Sequence, residues 1–180
     1  GAVAPENCGT SVAPRRFSCT FRAVGVTRSA PGLSHTDRSS TVGAMTWELV
    51  LDGIDFGEGP RWHDGRLWFS DFYDHAVKSV DPAGQVRTEY SFEDQTSGLG
   101  WLPDGRLLVV SMRELAVLRQ DGDNFVLHAD LSGLARHLCN DMVVDGAGRA
   151  WVGNFGFDLD AELDRRDPQE VFADHPAANL

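Results

Sequence analysis

The stretch GPRWHDGRLWFSD, residues 59–71, reads as an apolar strand, an Asp-Gly turn and a second apolar strand. GLGWLPDGRLLVVS, residues 98–111, and DMVVDGAGRAWVGN, residues 141–154, repeat the frame. Their shared Gly-Arg pairs, Gly65-Arg66, Gly105-Arg106 and Gly148-Arg149, lie 40 and 43 residues apart. Periods of about 40 to 45 residues with four short strands each mark propeller blades. Asp64-Gly65 and Asp104-Gly105 are hairpin dipeptides, because Gly accepts positive φ without steric cost and Asp tolerates it while bonding its own backbone. Between them lie weaker strand pairs, AVKSVDPAGQVRTEY turning at Pro82 to Gly84, and LAVLRQDGDNFVLHA turning at Asp121-Gly122. Two hairpins per period make one four-stranded sheet, which is one blade. A β-sandwich would space its strands similarly but has no reason to return to a Gly-Arg turn. No segment before residue 160 shows sustained helical amphipathicity. The sequence predicts an all-β fold, a β-propeller with about three blades present.

The chain has 180 residues, a formal net charge of −11 and an apolar share of 42%, enough for one domain with a core. A surplus of carboxylates argues against nucleic acid, whose phosphates need clustered Lys and Arg. A cation or a neutral small molecule suits this field better. No run of about 18 apolar residues exists, so no membrane span is expected. Cys8, Cys19 and Cys139 are an odd set without metal-like pairing. A Cys8–Cys19 disulfide has no support in the sequence, and Cys139 reads as a small buried thiol in a strand. A reducing, cytoplasmic compartment is expected.

The charge is unevenly distributed. Residues 1–44 carry five Arg against Glu6 and Asp37, whereas residues 45–180 are strongly acidic. The first part is rich in Ser, Thr, Gly, Ala and Pro and shows no useful periodicity. It lacks the apolar face of a transit peptide, and Arg15, Arg16 and Arg22 interrupt any secretory core. Residues 1–44 are expected to be a disordered or non-native extension, with the natural start at Met45 and a propeller domain over 45–180.

FGEGPRWHDGRLWFSD, then SGLGWLPDGRLLVVS, then CNDMVVDGAGRAWVGNFGFD resemble, in wording and in spacing, the first half of the senescence marker protein, gluconolactonase and regucalcin family. The resemblance covers roughly residues 47–160. It implies a six-bladed propeller holding one divalent cation, often calcium or zinc, with magnesium or manganese as alternatives, and hydrolysing small-molecule lactones. By this match Glu58 stands at the first-blade metal ligand, and Asn140 at an Asn or Asp that contacts metal or substrate. The other ligands, including the Asp that is the usual general base, belong to the family's second half, so that base would lie beyond Leu180. Leu138 stands where regucalcin-like members place a substrate-contacting Arg, which leaves a less polar lactone open.

The residues themselves agree with a ligand role for Glu58, since hard cations prefer oxygen donors. Gly57 and Gly59 would let the backbone turn so that the acid points inward. The plain alternative is a solvated turn acid. For Asn140 a site role and a turn-capping role stay open, while Asp141 reads as structural.

Other candidates are weaker. Asp158, Asp160 and Glu162 alternate like calcium ligands, yet Leu163 falls where a Gly is required and Gln169 where a bidentate Glu is needed, so residues 158–164 read as a solvated loop. His63, His128, His137 and His175 lack metal spacing and read as turn or surface residues. No Gly-x-Ser-x-Gly elbow is present. Trp62, Trp68, Trp101 and Trp151 read as blade packing. The expected function is metal-assisted lactone hydrolysis, weak or absent if the chain is truncated, with self-association through unclosed blades. The alternative is a non-catalytic propeller scaffold.

Overall fold

The computed structural model describes residues 19–25 and 46–178, with side chains from residue 49 onward. Two four-stranded antiparallel sheets form in sequence order. The first holds β3 (Gly57–His63), β4 (Arg66–Asp71), β5 (Ala76–Val80) and β6 (Val86–Ser91). The second holds β7 (Thr96–Trp101), β8 (Leu107–Ser111), β9 (Ala116–Asp121) and β10 (Asn124–Asp130). A hairpin of β11 (Cys139–Val144) and β12 (Ala150–Asn154) opens a third unit. Two short helices follow, α1 (Leu159–Leu163) and α2 (Pro168–Ala173). The fold is an all-β propeller, as the repeat predicts, with two full blades and one hairpin of a third.

An up-and-down meander places its connections alternately at two ends. The turns at 64–65, 81–85, 102–106, 122–123 and 145–149 fall at one end, and the other connections between β3 and β12 fall at the opposite end. At the turn end Asp64 (φ 47) and Gly65 (φ 74) both adopt positive φ, as the two-residue reading requires. Asp104 does not. Its turn is longer, closed by Leu102 N–H to Arg106 O at 2.9 Å, because Leu102-Pro103 adds residues before Asp104-Gly105. The turns at Asp81 and Asp145 share that closure, and in both the Asp side chain accepts two backbone N–H groups.

The core lies between blades. Val77, Leu99, Leu107 and Val109 are buried with Trp68 and Trp101 packed on them, and Leu108, Val110, Val117, Cys139 and Met142 form a second cluster. Cys139 is the buried strand thiol expected, and burial pushes its pKa up. Gly98 and Gly100 share one face of β7, and β11 uses the room they leave. A Cβ on Gly98 would meet Met142 N at 2.4 Å, and one on Gly100 would meet Val144 Cγ2 at 2.4 Å.

Several expectations need correction. Cys19–Gly25 forms a strand, β1, paired antiparallel with β2 (Thr46–Ile54), although the first 44 residues show no useful periodicity. Cys19, Phe21 and Ala23 alternate with Thr20 and Arg22, a short period-2 run inside a segment whose composition is otherwise that of a loop. The rest of that segment, Met45 and Cys8 lie outside the described residues. One apolar face of the first blade is not bare, because Val50, Leu51 and Ile54 pack on Phe69 and Val80. Trp62 and Trp151 are 66% and 48% exposed and do not pack between blades, unlike Trp68 and Trp101. Alternation fixes the face a side chain is on, not whether a neighbour covers it. His63 stacks on Trp101 with ring centroids 3.9 Å apart. Asp158 begins no solvated loop; its carboxylate accepts the Ala161 N–H at 2.9 Å and caps α1. Among the described residues no helix is long and apolar enough to cross a membrane.

Candidate functional site

The inner strands β3, β7 and β11 each carry an irregularity near the end opposite the turns. Pairing slips between Glu58 and Arg61, between Thr96 and Leu99, and between Cys139 and Met142. Gly57 lies opposite Asp71, Thr96 opposite Ser111 and Cys139 opposite Asn154, and one residue on from these rungs stand Glu58, just before its slip, and Ser97 and Asn140, within theirs, at equivalent positions of three successive units. A bulge re-aims a side chain and loosens the ladder, and such features cluster beside active sites. The sequence alignment by Gly-Arg turns hides this equivalence, because the turns differ in length.

Of the two glycines around Glu58, Gly59 is the one in the left-handed region (φ 54); Gly57 is not. A Cβ at Gly59 would also sit 3.0 Å from Ser97 O and 3.4 Å from an Asp141 carboxylate oxygen. Gly59 therefore serves both the bulge and the approach of the second blade.

The three positions are tied together. Ser97 is fully buried, its hydroxyl donates to Asn140 Oδ1 at 3.0 Å, and its carbonyl accepts from the Ser70 hydroxyl at 2.6 Å. Asp141 pairs with Arg61 of the first blade at 2.7 Å, and Arg61 also donates to Met142 O. Asp141 thus joins the third unit to the first, and its carboxylate also accepts the Met142 N–H at 2.7 Å, the local capping that its sequence context suggested.

Glu58 is half-buried. Burial raises its pKa above the ordinary carboxylate value, the Asp141 carboxylate adds to the rise, and a hydrogen bond from the Gly59 N–H opposes it. No Lys, Arg or His pairs with it among the described residues. A partly desolvated acid facing a second acid, with no cation of its own, has the electrostatics of a position that welcomes one.

Glu58 and Asn140 line one cavity of about 260 Å³ at the end opposite the turns. Its other walls come from connections at that end: Phe56 before β3, Phe72 and Tyr73 after β4, Gln95, Met112 and Arg113, His137 and Leu138, and Phe155, Asp158, Leu159 and Asp160 after β12. His137, read from sequence as a turn or surface residue, faces this cavity, with its Nε2 3.6 Å from Asp158 Oδ2. Nothing in its local sequence marks it, since the cavity assembles from connections up to a hundred residues apart.

A third carboxylate anchors one wall. Asp71 is fully buried and accepts the Phe56 N–H at 2.7 Å and the Asp55 N–H at 3.3 Å, and pairs with Lys78 Nζ at 2.8 Å. The Phe72 N–H returns to Phe56 O at 3.0 Å. Phe56, Phe72 and Tyr73 consequently stand as a fixed aromatic trio, with centroids 4.2 to 5.7 Å apart.

The donor set suits a hard cation in part. One carboxylate and one carboxamide converge as oxygen-bearing groups, and no group of three His, Cys, Asp or Glu residues gathers among the described residues.

Comparison with known proteins agrees with this architecture. A family model described as SMP-30/gluconolactonase/LRE-like region matches residues 56–174. A solved gluconolactonase from Xanthomonas campestris, described as important in glucose secondary metabolic pathways, matches with 23% identity over 59% of this chain and 37% of that chain, at a TM-score of 0.53. A luciferin-regenerating enzyme matches with 15% identity over 64% of this chain and 42% of that chain, at a TM-score of 0.51. These likenesses show the fold, and the chain spans well under half of either structure.

Proposed function

The chain belongs to the SMP-30/gluconolactonase/LRE-like family, and from that membership we propose a metal-dependent lactone hydrolase whose cation is held in part by Glu58. The observation that carries the reading is Glu58 itself: half-buried, raised in pKa beside Asp141 and lacking a cationic partner among the described residues, at the mouth of a cavity. Calcium or zinc is proposed, with magnesium or manganese as alternatives. A cation bound there would supply Lewis-acid polarisation of an ester carbonyl and a water acidic enough to be deprotonated near neutral pH.

The chain's own residues hold and orient. Glu58 brings negative charge to an oxygen-rich position. Asn140 has its Oδ1 engaged by the Ser97 hydroxyl, which leaves its amide hydrogens for a substrate oxygen. Asn140 is thus proposed on the substrate side of its two family roles. The general base is not assigned to a residue of this chain. Exposed Val143 and Trp151, paired across the β11–β12 hairpin, are proposed as the face for self-association, measured by sedimentation.

Thermal unfolding with added calcium, zinc, magnesium or manganese tests the assignment. A cation at one hundred times its Kd stabilises a single-site protein by about 2.7 kcal/mol. A cation-dependent rise in Tm that disappears in Glu58→Gln is expected, together with cation-dependent opening of simple lactones. No rise with any cation would favour a non-catalytic scaffold.

A further inference from the structure

The cavity that holds Glu58 and Asn140 is two-sided. One wall is apolar: Phe56, Phe72, Tyr73, Met112, Leu138 and Phe155. Several polar groups around it are already engaged within the protein. Asp158 caps α1, the Gln95 side chain accepts from Arg113 at 3.0 Å, and Asn140 Oδ1 takes the Ser97 hydroxyl. A ligand dense in hydroxyl groups would leave many of them without partners against the rings, and each buried polar group without a partner costs binding.

The apolar wall is fixed in place before any ligand arrives. Buried Asp71 grips the Phe56 N–H while paired to Lys78, and Phe72 is bonded back to Phe56. Phe72 and Leu138 also pack on the buried cluster around Met142, so they are held from behind. A wall held this firmly loses little entropy when a ligand rests on it. A cavity of about 260 Å³ suits one small ring with a short substituent.

We infer that the substrate class of this site is a lactone bearing an alkyl substituent, its ring directed to Glu58 and Asn140 and its chain lying on Phe56, Phe72 and Tyr73. This rests on the hydrolase reading for the ring and on the wall alone for the chain. Leu138 is one part of the apolar wall, and an Arg in its place would set a second guanidinium, beside that of Arg113, against the same surface.

Calorimetric titration with γ-lactams of increasing alkyl length, from methyl to hexyl, tests it without turnover, because an amide resists opening far longer than an ester. A polyhydroxylated gluconolactam is the control. Affinity is expected to rise about fourfold per methylene over the first members, with gluconolactam binding more weakly than all the longer ones. Tyr73→Ala, whose ring is 48% exposed and outside the buried clusters, should cut the gain to about twofold. Leu138→Arg should erase the chain-length dependence. A flat series, or gluconolactam binding most tightly, overturns the inference. The cation-dependent Tm shift is read separately: a chain-length gradient without that shift sinks the metal reading and keeps the alkyl site, and the reverse pattern does the opposite.

Discussion

The carboxylates at the two ends of the blades behave in opposite ways. At the turn end Asp81, Asp104 and Asp145 accept backbone N–H groups and lie beside Arg66, Arg106 and Arg149, and all three are held below the usual carboxylate range. Asp145 is lowered to about 2, chiefly by the hydrogen bond from the Arg149 N–H. At the cavity end Glu58 moves the other way, because burial and Asp141 outweigh the Gly59 N–H. Turn carboxylates whose hydrogen bonds are met inside the chain close hairpins. One left without a cation remains available for a ligand.

The strongest challenge to that division is Asp71, which sits at the cavity end yet is buried and paired. If it is a wall anchor, Asp71→Ala should cost about 1–3 kcal/mol in denaturant unfolding, because the Phe56 N–H loses its acceptor and Lys78 keeps only Asp74, at 2.6 Å. A loss below 1 kcal/mol would mean the wall is not preorganised. Next comes Gly98→Ala, expected to cost about 1–3 kcal/mol, because the added methyl would strike the backbone of β11 and not a movable side-chain tip. Amide exchange should show faster opening in β11 and β12 than in β3 to β6.

Glu58→Gln sharpens the comparison through its sign. The folded-state pKa of Glu58 is raised above its unfolded value, so its contribution is fully present below the unfolded pKa and is lost as pH rises through the folded pKa. Without cation, the variant should melt higher than the parent at pH 7, and the gap should close toward pH 4. A variant that melts lower at pH 7 would place Glu58 with the turn carboxylates. Ser97→Ala should weaken lactam binding by roughly tenfold, the worth of one hydrogen bond to an orienting amide, while leaving the cation-dependent Tm shift intact. The smallest effect belongs to Asp145→Asn. With a folded pKa near 2, the native carboxylate contributes above its unfolded pKa and loses that contribution as pH falls through about 2. The variant should be slightly less stable at pH 7, more so at low salt, and indistinguishable from the parent at pH 2.

The turn end was legible in sequence because its chemistry is local: an Asp and a Gly a few residues apart suffice to close a hairpin. Glu58 was visible for the same reason, flanked by glycines within three residues, although one of the two does the conformational work. Ser97 was not visible. Its importance comes from standing in the second blade where Glu58 and Asn140 stand in their own, and unequal turn lengths obscure that register. His137 and the Phe56, Phe72 and Tyr73 trio were equally hidden, since they meet through connections that only a folded sheet brings together. The exposure of Trp62 and Trp151 escaped alternation for a related reason, because coverage depends on a neighbouring blade.

The recurring bulge has one more consequence. Because it presents a single inward seat per unit at a fixed height, the occupant can be exchanged without rebuilding the blade around it. Acid, hydroxyl and amide already take turns in successive copies of one frame. New chemistry on such a scaffold needs a point change in the rim and no new backbone.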